Sequence, residues 1–425
     1  MSRNATVAVN ESITVRSLDS GATLVVEEIP SAASVAIEWM LPGGTAFDPD
    51  PLDGLSSIVA EMILRGAGDL DSRQLSDAFD RLGFRRWSRA GAYTTKVGGV
   101  VLADRLDDGW PLLVDMVRRP RLPEDALEPV RSLARQSLAG LSDDPQHEVM
   151  LRLRERHGHA PYNRHGYGTE AGLAAISIDD VRAAWTARSV PERAIIAIAG
   201  RIEADAVARD LDRHLAGWSG PAGAEPARAA RTGGREHCSR DTAQVHLGIA
   251  FDAPKAADEH AILERLGIRV LGGSTSGRLF TEVRQKRSLC YSVGASYAAG
   301  RDEGSVTVYA GTTPERAGET LEVCLAEIDR LRSGIDRDEF ERAVIGLRSR
   351  LVMQGESTAA RASSLAGDQF ALGRPRSLEE RLEEVAAVTE DDLGRWLADR
   401  PRHEPTIVTI GPGAGIGAAA DEGAA

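Results

Sequence analysis

Lysine is nearly missing from this chain: of 51 basic residues only Lys96, Lys255 and Lys286 are lysine, and the rest are arginine. GC-rich coding accounts for that bias, and no function is drawn from it. Positive charge is itself in short supply, because 51 Lys+Arg face 64 Asp+Glu and leave a formal −13. Such a field repels a polyanion, so nucleic acid is not an expected partner. Cysteine is scarce too: Cys238, Cys290 and Cys324 are odd in number, far apart and lack a C-x-x-C pair. Neither a disulfide framework nor a zinc knuckle is indicated, and the three read as small buried hydrophobes. No apolar run approaches the ~18–20 residues of a membrane-spanning helix. The N-terminal stretch MSRNATVAVNESITV lacks the basic-then-apolar shape of a secretory signal, which makes a cytoplasmic address and no membrane partner the expectation.

What is present is the composition of a globular protein. The 425 residues are 42% hydrophobic and 27% charged, enough for two, at most three, packed domains. The clearest shift lies at Gly217 to Gly234, GWSGPAGAEPARAARTGG, where Gly, Pro and Ala crowd together without an apolar period, as in a flexible connector. Similar patterns stand on either side of it. Ser34 to Trp39 and Val245 to Phe251 read as strands, and a helical spacing follows each, at Gly54 to Leu64 and at His260 to Leu271. Strand-like stretches come next, Tyr93 to Leu102 and Cys290 to Tyr309, and then two long amphipathic helices in each half. The second of these opens on an acidic turn both times, Pro123-Glu124-Asp125 and Asp336-Arg337-Asp338. Each half closes on a strand, Ala194 to Ala199 and Thr406 to Ile410.

A repeat of roughly 210 residues is too long for a solenoid unit of ~20–50 and indicates a duplicated domain. The predicted class is α+β: two homologous domains, each a mostly antiparallel sheet with helices packed on one face. The predicted boundaries are a first domain over 1–215, a linker over 216–236, a second domain over 237–411 and a flexible small-residue tail over 412–425.

Several motifs suggest chemistry when taken alone. Leu271-Gly272-Gly273-Ser274-Thr275-Ser276-Gly277-Arg278 has the glycines of a phosphate loop but follows a helix and ends in Arg-Leu where Lys-Ser/Thr is needed, so it reads as a helix-ending turn. His157, His159 and His165 are of a ligand type without a ligand spacing, and ordinary packing or surface histidines are the plainer reading. His237 and His246 are read the same way. Phe280 to Val293, FTEVRQKRSLCYSV, carries more. A charged helix end runs straight into a strand, which places Arg284 and Tyr291 where helix, loop and sheet meet. The pair is either a solvated arginine beside a half-buried strand tyrosine, or a guanidinium fork and a phenol addressing peptide carbonyls.

Leu41-Pro42-Gly43-Gly44-Thr45 ahead of Gly54-Leu55, His159-Ala160-Pro161-Tyr162 with Gly168-Thr169-Glu170, and the run from Leu271 to Tyr291 together make the chain resemble, nearly end to end, the M16 zinc metallopeptidases. This is the insulinase, pitrilysin and mitochondrial processing peptidase group, especially its half-size bacterial members. The resemblance implies a LuxS/metallohydrolase-like duplication. It also implies a His-x-x-Glu-His on the helix after Gly-Leu, but this chain has Ser57, Ala60 and Glu61 at those positions. An alignment anchored on Asp143-Asp144-Pro145 puts Ser137 at the third ligand. One carboxylate cannot both complete a three-ligand zinc site and act as the base beside it.

The family's substrate-gripping Arg and Tyr match Arg284 and Tyr291, with Ser288 in place of a usual glycine and Gly277 in place of a common serine. The resemblance therefore implies a non-catalytic subunit that holds no metal. Zinc would sit in a partner chain of similar length with an intact His-x-x-Glu-His, and a peptide would be bound as an added strand in a chamber the two subunits enclose. The alternative is a structural or assembly subunit, or a peptide-binding pseudoenzyme, with no proteolytic role.

Overall fold

The computed structural model describes residues 12–413. In chain order its first half forms β1 (Ser12–Ser17), β2 (Thr23–Glu28), β3 (Ser34–Pro42), α1 (Leu55–Met62), the short hairpin β4 (Gly66–Ala67) and β5 (Leu70–Asp71), α2 (Ser72–Arg81), β6 (Arg85–Ala90), β7 (Thr94–Leu102), α3 (Leu106–Arg118), α4 (Leu127–Gly140), α5 (Pro145–His157), α6 (Glu170–Ala175), α7 (Ile178–Arg188), β8 (Ile195–Gly200) and α8 (Ala204–His214). Beyond the connector follow β9 (Arg235–Ser239), β10 (Val245–Ala253), α9 (Ala261–Gly272), a π-helical segment Phe280–Lys286, β11 (Cys290–Ala299), β12 (Gly304–Thr312), α10 (Ala317–Arg330), α11 (Arg337–Gly355), α12 (Thr358–Leu372), α13 (Leu378–Ala386), α14 (Glu390–Asp399) and β13 (Thr406–Gly411). Most of the tail predicted for 412–425 lies outside the described residues.

The two sheets have the same topology. The first runs β1-β2-β8-β3-β7-β6 and the second β11-β12-β10-β13-β9. Read from opposite ends, β6-β7-β3-β8-β2 superimposes on β11-β12-β10-β13-β9, and β1 is an addition to the first copy. Within each sheet one neighbouring pair is parallel, β2 with β8 and β13 with β9, and the other pairs are antiparallel. The α+β class and the duplication stand.

The halves are not closed in sequence, however. One compact unit gathers Met1–Ser132, Ala171–Glu225 and Gln354–Ser377, and the other gathers Leu133–Glu170, Pro226–Met353 and Leu378–Ala425. In the first unit, Ala362, Leu365 and Ala366 of α12 pack on Val25, Ala36, Met40 and Ala197 of the sheet. In the second, Val149 and Leu153 of α5 pack on Ala250, Val408 and Ile410. Each sheet thus receives one helix from the opposite half, a partition that a cut at 216–236 does not reproduce. The sequence reading missed it because amphipathic spacing shows that a helix has an apolar face, not which sheet that face covers.

The connector is also more tightly held than its composition suggests. Tyr162 donates to Pro226 O at 2.9 Å, Ala229 N donates to Ala160 O at 2.8 Å, and Gly233 N donates to Arg156 O at 2.9 Å. The His-Ala-Pro-Tyr motif is the seat of the connector within the second unit, and His159 belongs to it through a 2.9 Å contact from Nδ1 to Ala229 O.

Candidate functional site

In the first unit Leu41-Pro42-Gly43-Gly44 feeds α1 through a close approach of chain to chain. Gly43 sits at φ +95°, and a Cβ there would come within 2.6 Å of Arg188 Cγ. Arg188 reaches under that turn from the end of α7 and donates to Ser56 Oγ at 2.8 Å and to Asp48 Oδ1 at 2.9 Å. Asp48 in turn accepts from Ser56 N and Oγ. The N-cap of α1, Gly54, has no side chain to satisfy the first amides, and Asp48 supplies that acceptor from outside the helix.

The helix so anchored carries the positions where the resemblance calls for zinc chemistry. Ser57 is half-buried and Ala60 buried, and Glu61 is ion-paired with Arg65 one turn on. Arg86 is close enough to Glu61 and Arg65 to feel both charges; burial lowers its pKa, Asp80 opposes that, and Arg65 and Glu61 add smaller influences of opposite sign. A zinc ion does not fit this set: a hydroxyl, a methyl and a carboxylate already committed to a guanidinium are not three ligands. Ser137 lies exposed on α4. Among the described residues no group of three His, Cys, Asp or Glu side chains could hold a metal ion.

The histidines weighed above are tied to neighbours. His157 Nδ1 is 3.0 Å from Thr406 Oγ1, and burial and then Arg231 push its pKa down. His237 Nδ1 is 2.7 Å from Thr409 Oγ1, and His246 Nδ1 is 2.9 Å from Tyr309 Oη. The glycine-rich loop ends in Arg278, which is buried and forks onto Glu339 at 2.7 and 2.6 Å, so its one cation is structural.

Three backbone irregularities of the second unit fall within the stretch that sequence analysis singled out, Phe280 to Val293. Phe280–Lys286 is π-helical, an uncommon winding that recurs at functional sites. Ser288 has φ +51°, in the left-handed region. At Tyr291 the register of β11 on β12 slips, since Cys290 pairs with Thr312 and Ser292 already with Gly311, which leaves Tyr291 as the extra residue of a β-bulge. A bulge re-aims the side chain it carries. Tyr291 is 64% exposed, against the burial usual for a strand aromatic.

Arg284 is exposed as well and stacks its guanidinium 4.8 Å from the centre of the Phe280 ring. Lys286 and Arg287 both bind Glu282 at 2.7 Å, and those two bonds hold its carboxyl below the usual range. Among the described residues Arg284 has no carboxylate partner. Both side chains that the resemblance marks as substrate contacts are therefore presented to solvent by strained or irregular backbone. Cys290, next to them, is no nucleophile, because burial pushes its thiol up to about 11.

Ser288 stands where glycine is usual, and the structure keeps a glycine-like conformation there. Sequence reasoning flagged the substitution but had no signal for the φ that gives it meaning. Ser288→Gly is expected to stabilise the chain by about 1 kcal/mol in urea unfolding, by removing a left-handed non-glycine residue. A loss of stability would show instead that the serine side chain supports the turn.

Comparison with known proteins agrees with this picture. Residues 175–347 match the family described as the peptidase M16 inactive domain. An uncharacterized zinc protease of Bacillus subtilis is 27% identical over 87% of this chain and 91% of its own length. One from Streptomyces coelicolor is 28% identical over 93% and 88%. Among solved structures, a peptidase M16 inactive domain from Pseudomonas fluorescens shares the fold at TM-score 0.85, with 20% identity and coverage of 95% and 99%. A chain of complex III2 from Candida albicans does so at 0.80, with 17% identity and coverage of 94% and 96%. The duplicated α+β topology is thus the fold shared with M16 inactive-domain structures. Over nearly its whole length the chain is similar to these zinc proteases, and its residues 175–347 match the M16 inactive domain.

Proposed function

We propose that this chain is the non-catalytic, substrate-binding subunit of a heteromeric M16-like zinc peptidase. It lends Arg284 and Tyr291 to an active site whose zinc is held by a partner with an intact His-x-x-Glu-His. Peptides are the substrates, taken into a chamber that the two subunits enclose in the cytoplasm. The observation that carries this reading is the contrast between the two units. Ser57, Ala60 and Glu61 have no zinc-binding capacity left, whereas Arg284 and Tyr291 are exposed, the one on a π-helical segment and the other at a β-bulge. A peptide bond under attack develops charge on its oxygen, and a guanidinium or phenol already oriented toward it lowers the barrier.

The test is purification of the tagged chain from its native cell, identification of what co-purifies stoichiometrically, and reconstitution. Chelator-sensitive peptide cleavage by the pair, with none by this chain alone, is the expected result. Chelator-sensitive cleavage by the isolated chain would overturn the assignment. A second reading, a structural or assembly role without proteolysis, draws on the loss of all four zinc-site positions, and on a fold shared with a chain of complex III2. Recovery of a large assembly with no His-x-x-Glu-His chain in it would favour that role.

A further inference from the structure

Arg269 and Arg350, in the second unit, are neighbouring cations without a carboxylate partner among the described residues. Arg269, on α9, is half-buried, and its guanidinium rests against α11 at Gly346. A Cβ on that glycine would lie 2.4 Å from Arg269 Nη2 and 2.8 Å from Nε. Arg350 is four residues further along α11 and so rises from the same face. Among the described residues neither arginine has a hydrogen bond to, or an ion pair with, a carboxylate. The fully buried arginines, by contrast, are matched: Arg188 to Asp48, Arg278 to Glu339 and Arg400 to Glu264. Acids are not lacking either, in a chain of net charge −13. Burial, and then the charge of Arg350, lower the pKa of Arg269, as expected for a cation held without an anion.

The surroundings say what that anion belongs to. β11 is the outermost strand of its sheet, and its ten residues, CYSVGASYAA, contain no charge and no proline to blunt the edge. Arg265, one turn before Arg269, lies with its guanidinium 5.9 Å from the centre of the Tyr297 ring on β11. At the end of α9, a Cβ on Gly272 would meet Ala295 N at 2.6 Å. These contacts set α9 against β11, whose outer side carries no strand, so an extended chain added there would run beside the helix that carries Arg265 and Arg269.

We infer that Arg269 and Arg350 form a receptor for a carboxylate of an extended peptide paired along β11. A planar guanidinium fork takes a planar carboxylate through two parallel hydrogen bonds, which a neutral amide cannot reproduce. The inference gives a substrate class, peptides with an acidic group, to the peptide-binding part of the proposed function. It does not depend on a catalytic partner.

The full chain alone is titrated into a fluorescently labelled, otherwise uncharged extended peptide with one central glutamate, and into its glutamine counterpart, each with a free and an amidated C terminus. Polarisation is expected to show the glutamate peptide bound about tenfold more tightly than the glutamine peptide. A preference that follows the free C terminus instead assigns the receptor to a terminal carboxylate. Arg350→Gln should abolish the preference without lowering the melting temperature, since it relieves a repulsion. Gly346→Ala should do the same by pushing the Arg269 fork off its seat while keeping both charges. Equal binding of acid and amide peptides, no binding of either, or a preference that survives both substitutions would overturn the inference. Failure of the two-chain cleavage assay would leave this measurement untouched.

Discussion

Arg188→Ala is expected to destabilise the protein by about 3–5 kcal/mol, the usual result of removing one partner from a buried ion pair. The side chains of Arg188 and Asp48 are 6% and 1% exposed, so solvent screens neither. Truncating the arginine removes the guanidinium that pairs with the buried Asp48 carboxylate, which keeps its bonds from Ser56 N and Oγ. It also leaves a cavity under the turn at Gly43, a glycine whose positive φ and closeness to the Arg188 stem show how little room surrounds that side chain. Lysine should not rescue it, because one ammonium cannot reach Ser56 Oγ and Asp48 Oδ1 in the geometry of the two guanidinium nitrogens. Urea unfolding followed by circular dichroism reads the effect. A cost below about 1 kcal/mol would mean that water replaces the guanidinium and that the network is not what fixes the start of α1.

In a reconstituted two-chain peptidase, Arg284→Ala and Tyr291→Phe are each expected to lower kcat by about 10²–10³-fold with a much smaller change in KM. The split follows from the role proposed: contacts made to charge that develops during reaction are absent from the ground state, so their loss appears in turnover and not in binding. Because both side chains are exposed and neither belongs to the core, the variants should melt with the parent protein. Equal loss in KM and no loss in kcat would make the pair a binding surface only. No loss in either would remove it from the active site and favour the assembly role.

The fold was legible in this sequence to the extent that pattern reports local structure. β3, α1, β10, α9 and β13 fall where alternation and helical spacing put them, and the duplicated order gave the shared topology. The destination of α5 and α12 was not legible, since their packing joins residues about 100 to 260 and about 160 to 340 positions apart in opposite halves. At the site, the residue types at 57, 60, 61, 284 and 291 could be read directly. What could not be read was backbone conformation: the π-winding at 280–286, the left-handed Ser288 and the bulge at 291 come from how β11 meets β12 and α10. The Asp48–Ser56–Arg188 network was equally hidden, because a lone arginine at the end of a surface-looking helix carries no mark of its buried carboxylate.

The exchange of helices also has a consequence during synthesis. The last strand of the first sheet, β8, is made by Gly200, but α12, which covers Val25, Ala36 and Met40, ends only at Leu372. At typical elongation rates the ribosome needs roughly 10–30 s to supply that interval. Throughout it the nascent first sheet has an apolar face whose cover is not yet translated, so this chain cannot complete its units one after the other as it emerges. A gene split at the connector would also yield two fragments that each need the other's helix before either can finish folding.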